Sequence, residues 1–173
     1  MVNREQLEHI VLEADDAGYR LEFVAGLPVW EASPVVKHQR ASFRIQNSLR
    51  RSIQPRVNNE DGCECVHYAD IYVRFSDGSL KRPDIAIFCR EPDEQETAVT
   101  LQPEAVIEIL SKSYEAKDLE VGVPFYQRMG VKDIVVLDPD TNAVLHYQAG
   151  HPTPRRLISP VDITLACGCH CTV

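Results

Sequence analysis

The sequence predicts an α+β (α/β) fold, with a central mixed β-sheet flanked by helices and preceded by an N-terminal helix and hairpin. Apolar runs bounded by turn residues indicate strands, and apolar residues three or four positions apart indicate helices. Their order along the chain is helix, hairpin, helix, three strands, helix and two strands, which favours a mixed sheet covered by helices. The 173 residues suit one domain, 1–173, with a core over about 19–148 and a C-terminal strand or tail over 149–173.

The first third of the chain predicts a helix, a hairpin and a second helix. "REQLEHIVLEADDAG" places apolar residues on one helical face and stops at Gly18. "YRLEFVAGLPVW" alternates apolar and other residues and turns at Gly26. In "SPVVKHQRASFRIQNSLRRSIQ", Ser33 can cap a helix and Pro34 suits its first position, so a helix is expected over 35–54.

The rest of the chain predicts mainly strands. "CECVHYADIYVRF" and "RPDIAIFCR" form an expected hairpin around "SDGS", and "AVIEILS" is the third strand. "EPDEQET" is expected to be an acidic loop. "YEAKDLEVGVPFYQRMG" predicts a helix ending at Gly130, in which Pro124 marks a kink or a delayed start. Two further strands flank "DPDTN".

Composition excludes several classes of protein. No run of 18 apolar residues is present, so no membrane helix is expected. The beginning, "MVNREQLEHI", lacks the apolar centre of an export signal, and we expect a cytoplasmic protein. The six cysteines are then expected to be free thiols. "CEC" and "CGCHC" leave a soft-metal site open, although neither has the C-x2-C spacing of common zinc sites.

Basic residues concentrate in one segment of an acidic chain. The net charge is −8, yet residues 32–59 carry six basic residues and no acidic one. On a helical wheel, His38 falls on the apolar stripe while a basic group lies on a different face. That group is either a solvated surface or a contact for the phosphates of a nucleic acid. Its members are Lys37, Arg40, Arg44 and Arg51.

Two carboxylates are placed where a divalent cation would offset their charge. Glu108 interrupts the apolar run "AVIEIL", and Asp84 precedes the apolar strand "IAIF". A buried carboxylate is costly unless it is paired, protonated or bound to a metal. Oxygen ligands favour Mg²⁺ or Mn²⁺. Ion pairs with Arg74 or Arg82 are the alternative explanation.

Several motifs together resemble the Uma-two family of putative restriction endonucleases (domain of unknown function 820), within the PD-(D/E)XK nuclease-like superfamily. The resemblance spans about residues 19–148. It rests on "YRLEFVAGLPVW", "SPVVKHQRAS", "RPDIAIF", "AVIEILSKS", "DLEVGVPFYQRMGVKDIVVLDPD" and "VLHYQ".

The resemblance implies a restriction-endonuclease-like core and metal-dependent hydrolysis of phosphodiester bonds in DNA. It implies that Asp84 and Glu108 are the metal ligands for Mg²⁺ or Mn²⁺, and that Glu22 and His38 line the site. For Glu22, a salt bridge in the core is the alternative. Nuclease folds of this kind often dimerise to cut both strands, so a homodimer is a further expectation.

The sequence departs from the family at the catalytic lysine. The family supplies this lysine four residues after an aspartate, but here that aspartate is Asp118 and the position is Gly122. Lys112, which shares the strand parity of Glu108, and Lys117, one helical turn before Gly122, are the candidate replacements; we prefer Lys112.

Three functions therefore compete. The first is a Mg²⁺-dependent endonuclease, and the second is a catalytically lapsed relative that keeps the fold as a binding or assembly module. The third, a thiol-rich metal or redox protein, ranks below both. The loss of the helix lysine and the acidic net charge favour the second, but the endonuclease is the predicted function and the lapsed relative is its alternative.

Overall fold

The computed structural model describes residues 4–31, 34–51, 62–93, 97–112 and 115–173. They form three α-helices, one π-helix and fourteen strands. In chain order these are α1 (Arg4–Asp16), β1 (Arg20–Val24), β2 (Leu27–Glu31), α2 (Val36–Ser48), β3 (Arg50–Arg51), β4 (Val66–Ala69), β5 (Tyr72–Arg74), β6 (Leu80–Lys81), β7 (Ile85–Phe88), β8 (Ala98–Val99), β9 (Ala105–Ile109), the π-helix (Lys117–Gly122), α3 (Val123–Arg128), β10 (Asp133–Leu137), β11 (Ala143–Gln148), β12 (Arg155–Ile158), β13 (Asp162–Thr164) and β14 (Cys169–Thr172).

A six-stranded mixed sheet, ordered β12-β11-β10-β9-β7-β4, forms the centre of the structure. Its strands β9 and β10 are parallel, whereas the other neighbouring pairs are antiparallel. Helices and smaller sheets cover it on both sides. The predicted fold class, a mixed sheet flanked by helices, is confirmed.

Each face of the central sheet packs against its own apolar core. Ile107 belongs to the core that includes Ile45 of α2 and the β13–β14 hairpin. Val106, the preceding residue of β9, belongs to the core that includes Phe125 of α3. Burial on both faces explains why β9 reads as a continuous apolar run rather than an alternating one.

The second sheet, ordered β2-β1-β6-β5-β8, contains the predicted N-terminal hairpin. The turn between β1 and β2 passes through Gly26, whose φ of 80° lies in the left-handed region that favours glycine. β1 also pairs with β6, where Phe23 lies opposite Leu80. This pairing brings Glu22 and Lys81, the neighbours of those two residues, to the same part of the sheet.

The hairpin expected over 63–90 is divided between two sheets. Asp70 has a φ of 64°, and this left-handed residue ends β4 and separates it from β5. β4 pairs with β7 in the central sheet, while β5 and β6 pair with each other in the second sheet. The positions of the strands were predicted correctly, but the hairpin expected from two long strands consists of four shorter strands, β4 to β7.

The two helices predicted in the middle of the chain differ in length from their predictions. α2 ends at Ser48 instead of 54, because Leu49 is extended and Arg51 then pairs with β14. Ile53, the end of the predicted apolar stripe, lies outside the described residues. The later helix begins as the π-helix and continues as α3, with Pro124 in the first turn of α3, where a missing N–H is tolerated.

The C-terminal region contains more structure than the strand or tail expected there. β12 extends the central sheet, and β13 and β14 form a three-stranded sheet with β3. The expectation of free thiols is met by Cys167 and Cys171 only, since Cys63 is bonded to Cys89 and Cys65 to Cys169. Residues 94–96 of the expected acidic loop lie outside the described residues.

Candidate functional site

Asp84 and Glu108 meet at one end of β7 and β9. Ala86 lies opposite Val106 and Ile85 opposite Ile107, so the antiparallel register continues to place Asp84 opposite Glu108. The backbone N–H of Asp84 donates to Glu108 Oε2 at 3.2 Å. The N–H of Ile109 donates to Asp84 Oδ2 at 2.7 Å. Both carboxyl groups are buried.

One side chain from each face of the sheet fixes these carboxyl groups. His38 of α2 places its Nε2 3.0 Å from Asp84 Oδ1. Tyr126 of α3 donates its hydroxyl to Glu108 Oε1 at 2.7 Å. Each carboxylate oxygen thus has one protein partner and retains a lone pair for a further ligand.

Glu22 enters the site from β1, paired with a lysine. Lys81 Nζ donates to Glu22 Oε2 at 2.6 Å, and the backbone N–H of Arg82 donates to Glu22 Oε1 at 2.7 Å. Lys81 and Glu22 are both buried almost completely. Burial alone would raise the pKa of Glu22, but Lys81 and Lys117 together hold the pKa below its usual 4.5.

The π-helix adds a second lysine and a further carboxyl group. Lys117 Nζ lies 3.2 Å from Asp118 Oδ1 and 3.7 Å from Glu22 Oε2. One turn later, Gly122 leaves space beside these charges. A Cβ built on Gly122 would lie 3.9 Å from Lys81 Nζ and 3.4 Å from the Lys117 carbonyl oxygen.

The carboxyl groups of the site repel one another in the absence of a cation. Burial raises the pKa of Glu108 well above 4.5, and the nearby Asp118 and Asp84 raise it further. Burial also raises the pKa of Asp118 above 3.8, although Lys117 and Lys81 oppose the shift. Negative charge is therefore concentrated where apolar surroundings make it costly.

The donor set of the site fits a hard divalent cation. With His38 counted as neutral, its four carboxylates exceed its two lysines by two charges, which one divalent ion would neutralise. Oxygen atoms of this kind are the ligands that Mg²⁺ and Mn²⁺ prefer. The buried charged groups counted are Glu22, Asp84, Glu108 and Asp118, with Lys81 and Lys117.

Comparison with known proteins assigns the chain to a family. The family model described as "Putative restriction endonuclease" and named Uma2 matches residues 4–163. The chain belongs to the Uma2 family. The resemblance inferred from the motifs is thereby confirmed, and the match extends on both sides of the expected core of 19–148.

A solved structure supports the same fold for this Uma2 protein. It is the crystal structure of "a putative nuclease belonging to DUF820 from Anabaena variabilis ATCC 29413". The two chains are 19% identical with a TM-score of 0.61, and the alignment covers 83% of this chain and 80% of that chain. No curated protein matches the chain. Among the described helices, none is long and apolar enough to cross a membrane.

Most site residues predicted for the Uma2 protein come together, but two do not join the others. His38, Asp84 and Glu108 form one contacting group. Glu22 and Lys117 form a second, and Lys117 is close enough to lower the pKa of Glu108 electrostatically. The preferred Lys112 is exposed, because β9 ends at Ile109 and strand parity no longer applies beyond it. Arg51 lies on β3 and approaches Glu64, away from the other three basic residues.

Those three basic residues of the Uma2 protein line a cavity of about 230 Å³ beside α2. Lys37, Arg40 and Arg44 form one wall, and Leu137 of β10 lies on another. Because Leu137 pairs with Ile109, the cavity is near the end of the sheet where Glu108 lies. Arg40 and Arg44 are exposed and have no ion-pair partner among the described residues.

Sequence reasoning did not assign three residues to the Uma2 site, although it named Asp118 as the aspartate that precedes the missing lysine. Asp118 and Tyr126 are spaced four residues from Gly122 on either side, and that spacing places them on one helical face. The signal was thus present but was not used. Lys81 gave a weaker signal, because a lysine at a strand end is ordinarily exposed.

The raised pKa of Glu108 predicts that this residue destabilises the metal-free Uma2 protein. Glu108 binds its proton more tightly in the folded state than in the unfolded state. The free energy of unfolding therefore falls as pH rises from about 4.5 to the folded-state pKa of Glu108. Glu108→Gln removes the charge; its amide oxygen can still accept from the Asp84 N–H, and its amide N–H can donate to the Tyr126 hydroxyl oxygen. We expect a higher thermal unfolding midpoint for this variant at pH 7, with each kcal/mol adding about 2–4 °C.

Thermal unfolding in a chelator at pH 5, 6, 7 and 8 measures this effect. Glu120→Gln, at an exposed position of the π-helix, is the control and should follow the wild type. The gap between Glu108→Gln and the wild type should widen with pH. A midpoint below that of the wild type at pH 7 would contradict the argument.

Proposed function

We propose that this chain is a Mg²⁺- or Mn²⁺-dependent DNA endonuclease that hydrolyses phosphodiester bonds. The observation that carries the proposal is the excess of buried carboxylates over lysines at the meeting point of β7, β9 and the π-helix. Membership of the Uma2 family, whose description is "Putative restriction endonuclease", supports the reaction class. A cytoplasmic location and a homodimer that cuts both strands belong to the same proposal.

Asp84 and Glu108 are the proposed metal ligands. A cation bound between them would orient a water molecule, lower its pKa and neutralise charge on the phosphodiester. The protein's own contribution is to hold the two carboxyl groups in place. His38 fixes Asp84 from one side of the sheet, and Tyr126 fixes Glu108 from the other.

Lys81 is the proposed replacement for the lysine that the family has at position 122. Its ammonium group reaches the space where the side chain of residue 122 would begin. A fixed positive charge there can stabilise the charge that develops on the phosphate. Glu22 holds the ammonium group in this position, so we propose Glu22 as the residue that positions Lys81. Lys117 is a second cation of the same group, and Lys112 is not required.

The basic wall beside α2 is the proposed contact for the DNA backbone. Arg40 and Arg44 point into the same cavity as Lys37, which is partly neutralised by Asp140 at 2.6 Å. Clustered cations near a hydrolytic site are suited to binding phosphates on either side of the cut bond.

One observation favours the alternative of a catalytically lapsed relative. Lys81 is already engaged in a buried ion pair with Glu22, and such a pair is costly to disturb once formed. If that pair only stabilises the fold, the site would bind a cation without cleaving DNA. Metal binding and DNA cleavage must therefore be measured separately.

Metal binding is the first test of the proposal. Calorimetric titration of Mn²⁺ should give one site per chain, and Asp84→Asn should weaken binding by at least ~100-fold because a charged ligand is lost. Proton release should accompany binding, because Glu108 must ionise. Asp162→Asn, which removes an exposed carboxylate, should bind as the wild type does.

Circular dichroism must show that each variant is folded. Equal Mn²⁺ affinity in the wild type and Asp84→Asn, or no binding in either, would contradict the enzyme proposal. Mn²⁺ binding at Asp84 without cleavage of any nucleic acid would support the lapsed relative instead.

The role of Lys81 can be tested by moving the lysine to the helix. Lys81→Ala should reduce the rate of plasmid nicking by about 10²–10³-fold, the usual cost of losing a stabilising charge, while retaining Mn²⁺ binding. The double variant Lys81→Ala/Gly122→Lys should recover activity, since Gly122 has ordinary helical φ and ψ values of −65° and −55°.

Gly122→Ala in the Lys81→Ala background is the matched control and should not recover activity. Recovery by Gly122→Ala as well, or undiminished nicking by Lys81→Ala, would exclude Lys81 as the replacement.

Backbone contact by the basic wall predicts a change in the salt dependence of DNA binding. Arg40→Ala/Arg44→Ala should lower the slope of log K against log [salt] by about 2 for duplex DNA. Arg155→Ala/Arg156→Ala removes the same charge from exposed positions of β12 and should leave the slope unchanged. Fluorescence anisotropy in the Asp84→Asn background provides the measurement without cleavage. Equal slopes for the two double variants would place the DNA elsewhere.

A further inference from the structure

Five cysteines from three separated stretches of chain converge on the side of the central sheet that faces α2. Cys63 and Cys65 precede β4, Cys89 follows β7, and Cys167 and Cys169 belong to the β13–β14 hairpin. The sulfur atoms of Cys63 and Cys169 are 3.5 Å apart. Disulfides attach Cys89 to the first and Cys65 to the second, so all five sulfur atoms form one group.

Cys167 is the member that two structural disulfides do not explain. It is a free thiol, yet its sulfur lies within 4.8 Å of the sulfurs of both Cys63 and Cys169. Cys171 is also free and buried, two residues further along, but it is not part of this group of three among the described residues. The cluster therefore contains one free thiol close to both disulfides, and two crosslinks alone do not require it.

The hairpin that carries Cys167 and Cys169 is held in one conformation. Gly168 between them has a φ of 94°, in the region that favours glycine, and its N–H donates to the Leu165 carbonyl at 2.8 Å. The N–H of Ala166 donates to the buried Asp133 carboxylate at 2.6 Å. These bonds do not depend on the disulfides, so the turn can present both sulfur atoms in the reduced chain.

The spacing of the sulfur atoms is close to that of a tetrahedral thiolate site. A Zn–S distance of about 2.3 Å gives about 3.8 Å between neighbouring sulfur atoms of a tetrahedron. The sulfur atoms of Cys63 and Cys169 are 3.5 Å apart, and no two sulfur atoms of the group of three are more than 4.8 Å apart. Both distances are close to the tetrahedral value. Zinc sites formed by four cysteines are common structural sites, and soft thiolate ligands select such metals.

We propose that the reduced chain binds one Zn²⁺ through Cys63, Cys167, Cys169 and a fourth thiolate from Cys65 or Cys89. The disulfide-bonded arrangement is the oxidised form of the same cluster. Each disulfide takes two electrons and two protons from a dithiol reductant, which becomes a disulfide itself. Zn²⁺ then binds three of the four resulting thiols together with Cys167, which is already a free thiol, and the four protons of these ligands pass to the solvent.

This site is separate from the carboxylate site. Asp84 precedes β7 and Cys89 follows it, so about 16 Å of extended strand lies between them. Residues 85, 87 and 89 also share a face of the strand that residue 84 does not. One site offers oxygen atoms to a hard cation and the other offers sulfur atoms to a soft one. A substitution can therefore abolish either site and leave the other intact.

Cobalt titration of the reduced, metal-free full chain tests the proposal, since Co²⁺ bound by thiolates gives sulfur-to-metal charge-transfer absorption. We expect this band to saturate at one Co²⁺ per chain and to disappear when Zn²⁺ is added. Cys167→Ser and Cys169→Ser should each weaken Zn²⁺ binding by at least ~100-fold, because the binding energy is shared among four thiolates. Cys65→Ser and Cys89→Ser identify the fourth ligand by which of the two does the same.

Cys171→Ser is the matched control, because this cysteine is equally buried but lies outside the group. Its sulfur is not among those of the described residues that lie within 4.8 Å of one another, so its loss should leave the titration unchanged. Asp84→Asn should also leave it unchanged. The proposal is wrong if the reduced, folded chain shows no thiolate band, or if Cys167→Ser binds Zn²⁺ as tightly as the wild type.

Discussion

The antiparallel register between β7 and β9 determines where the charged groups of this protein meet. With Ala86 opposite Val106, Asp84 lies opposite Glu108. A shift of one residue would turn β7 over and separate the two carboxyl groups. The apolar cores on both faces prevent that shift, because it would move Ile85 from one core to the other. Packing therefore holds together two groups that repel each other.

The helix α2 connects the carboxylate site with the surface. Its buried residues include His38, which contacts Asp84, and Ile45, which packs in the core. Its exposed residues include Arg40 and Arg44, which line the cavity beside it. One amphipathic helix thus supplies both a support for a carboxylate and a basic wall, and the angle between the two is fixed by the helical repeat.

Sequence reasoning identified the features that depend on local pattern. The strands, the hairpin at Gly26 and the inward position of His38 follow from apolar periodicity and turn residues. Lys81 was missed because its burial depends on the pairing of β6 with β1, which the sequence does not reveal. The convergence of the cysteines was missed for the same reason, since it requires β14 to pair with β3 more than a hundred residues earlier in the chain.

That long-range pairing has a consequence for folding. The N–H of Thr172 donates to the Ser48 hydroxyl at 2.8 Å, across 124 positions of sequence, at the end of α2. During synthesis, the part of α2 that packs against β14 stays uncovered until β14 has been made. Contacts so distant in sequence slow folding. Exposed Ile45 in a nascent chain is a natural place for a chaperone to bind, or for aggregation to begin.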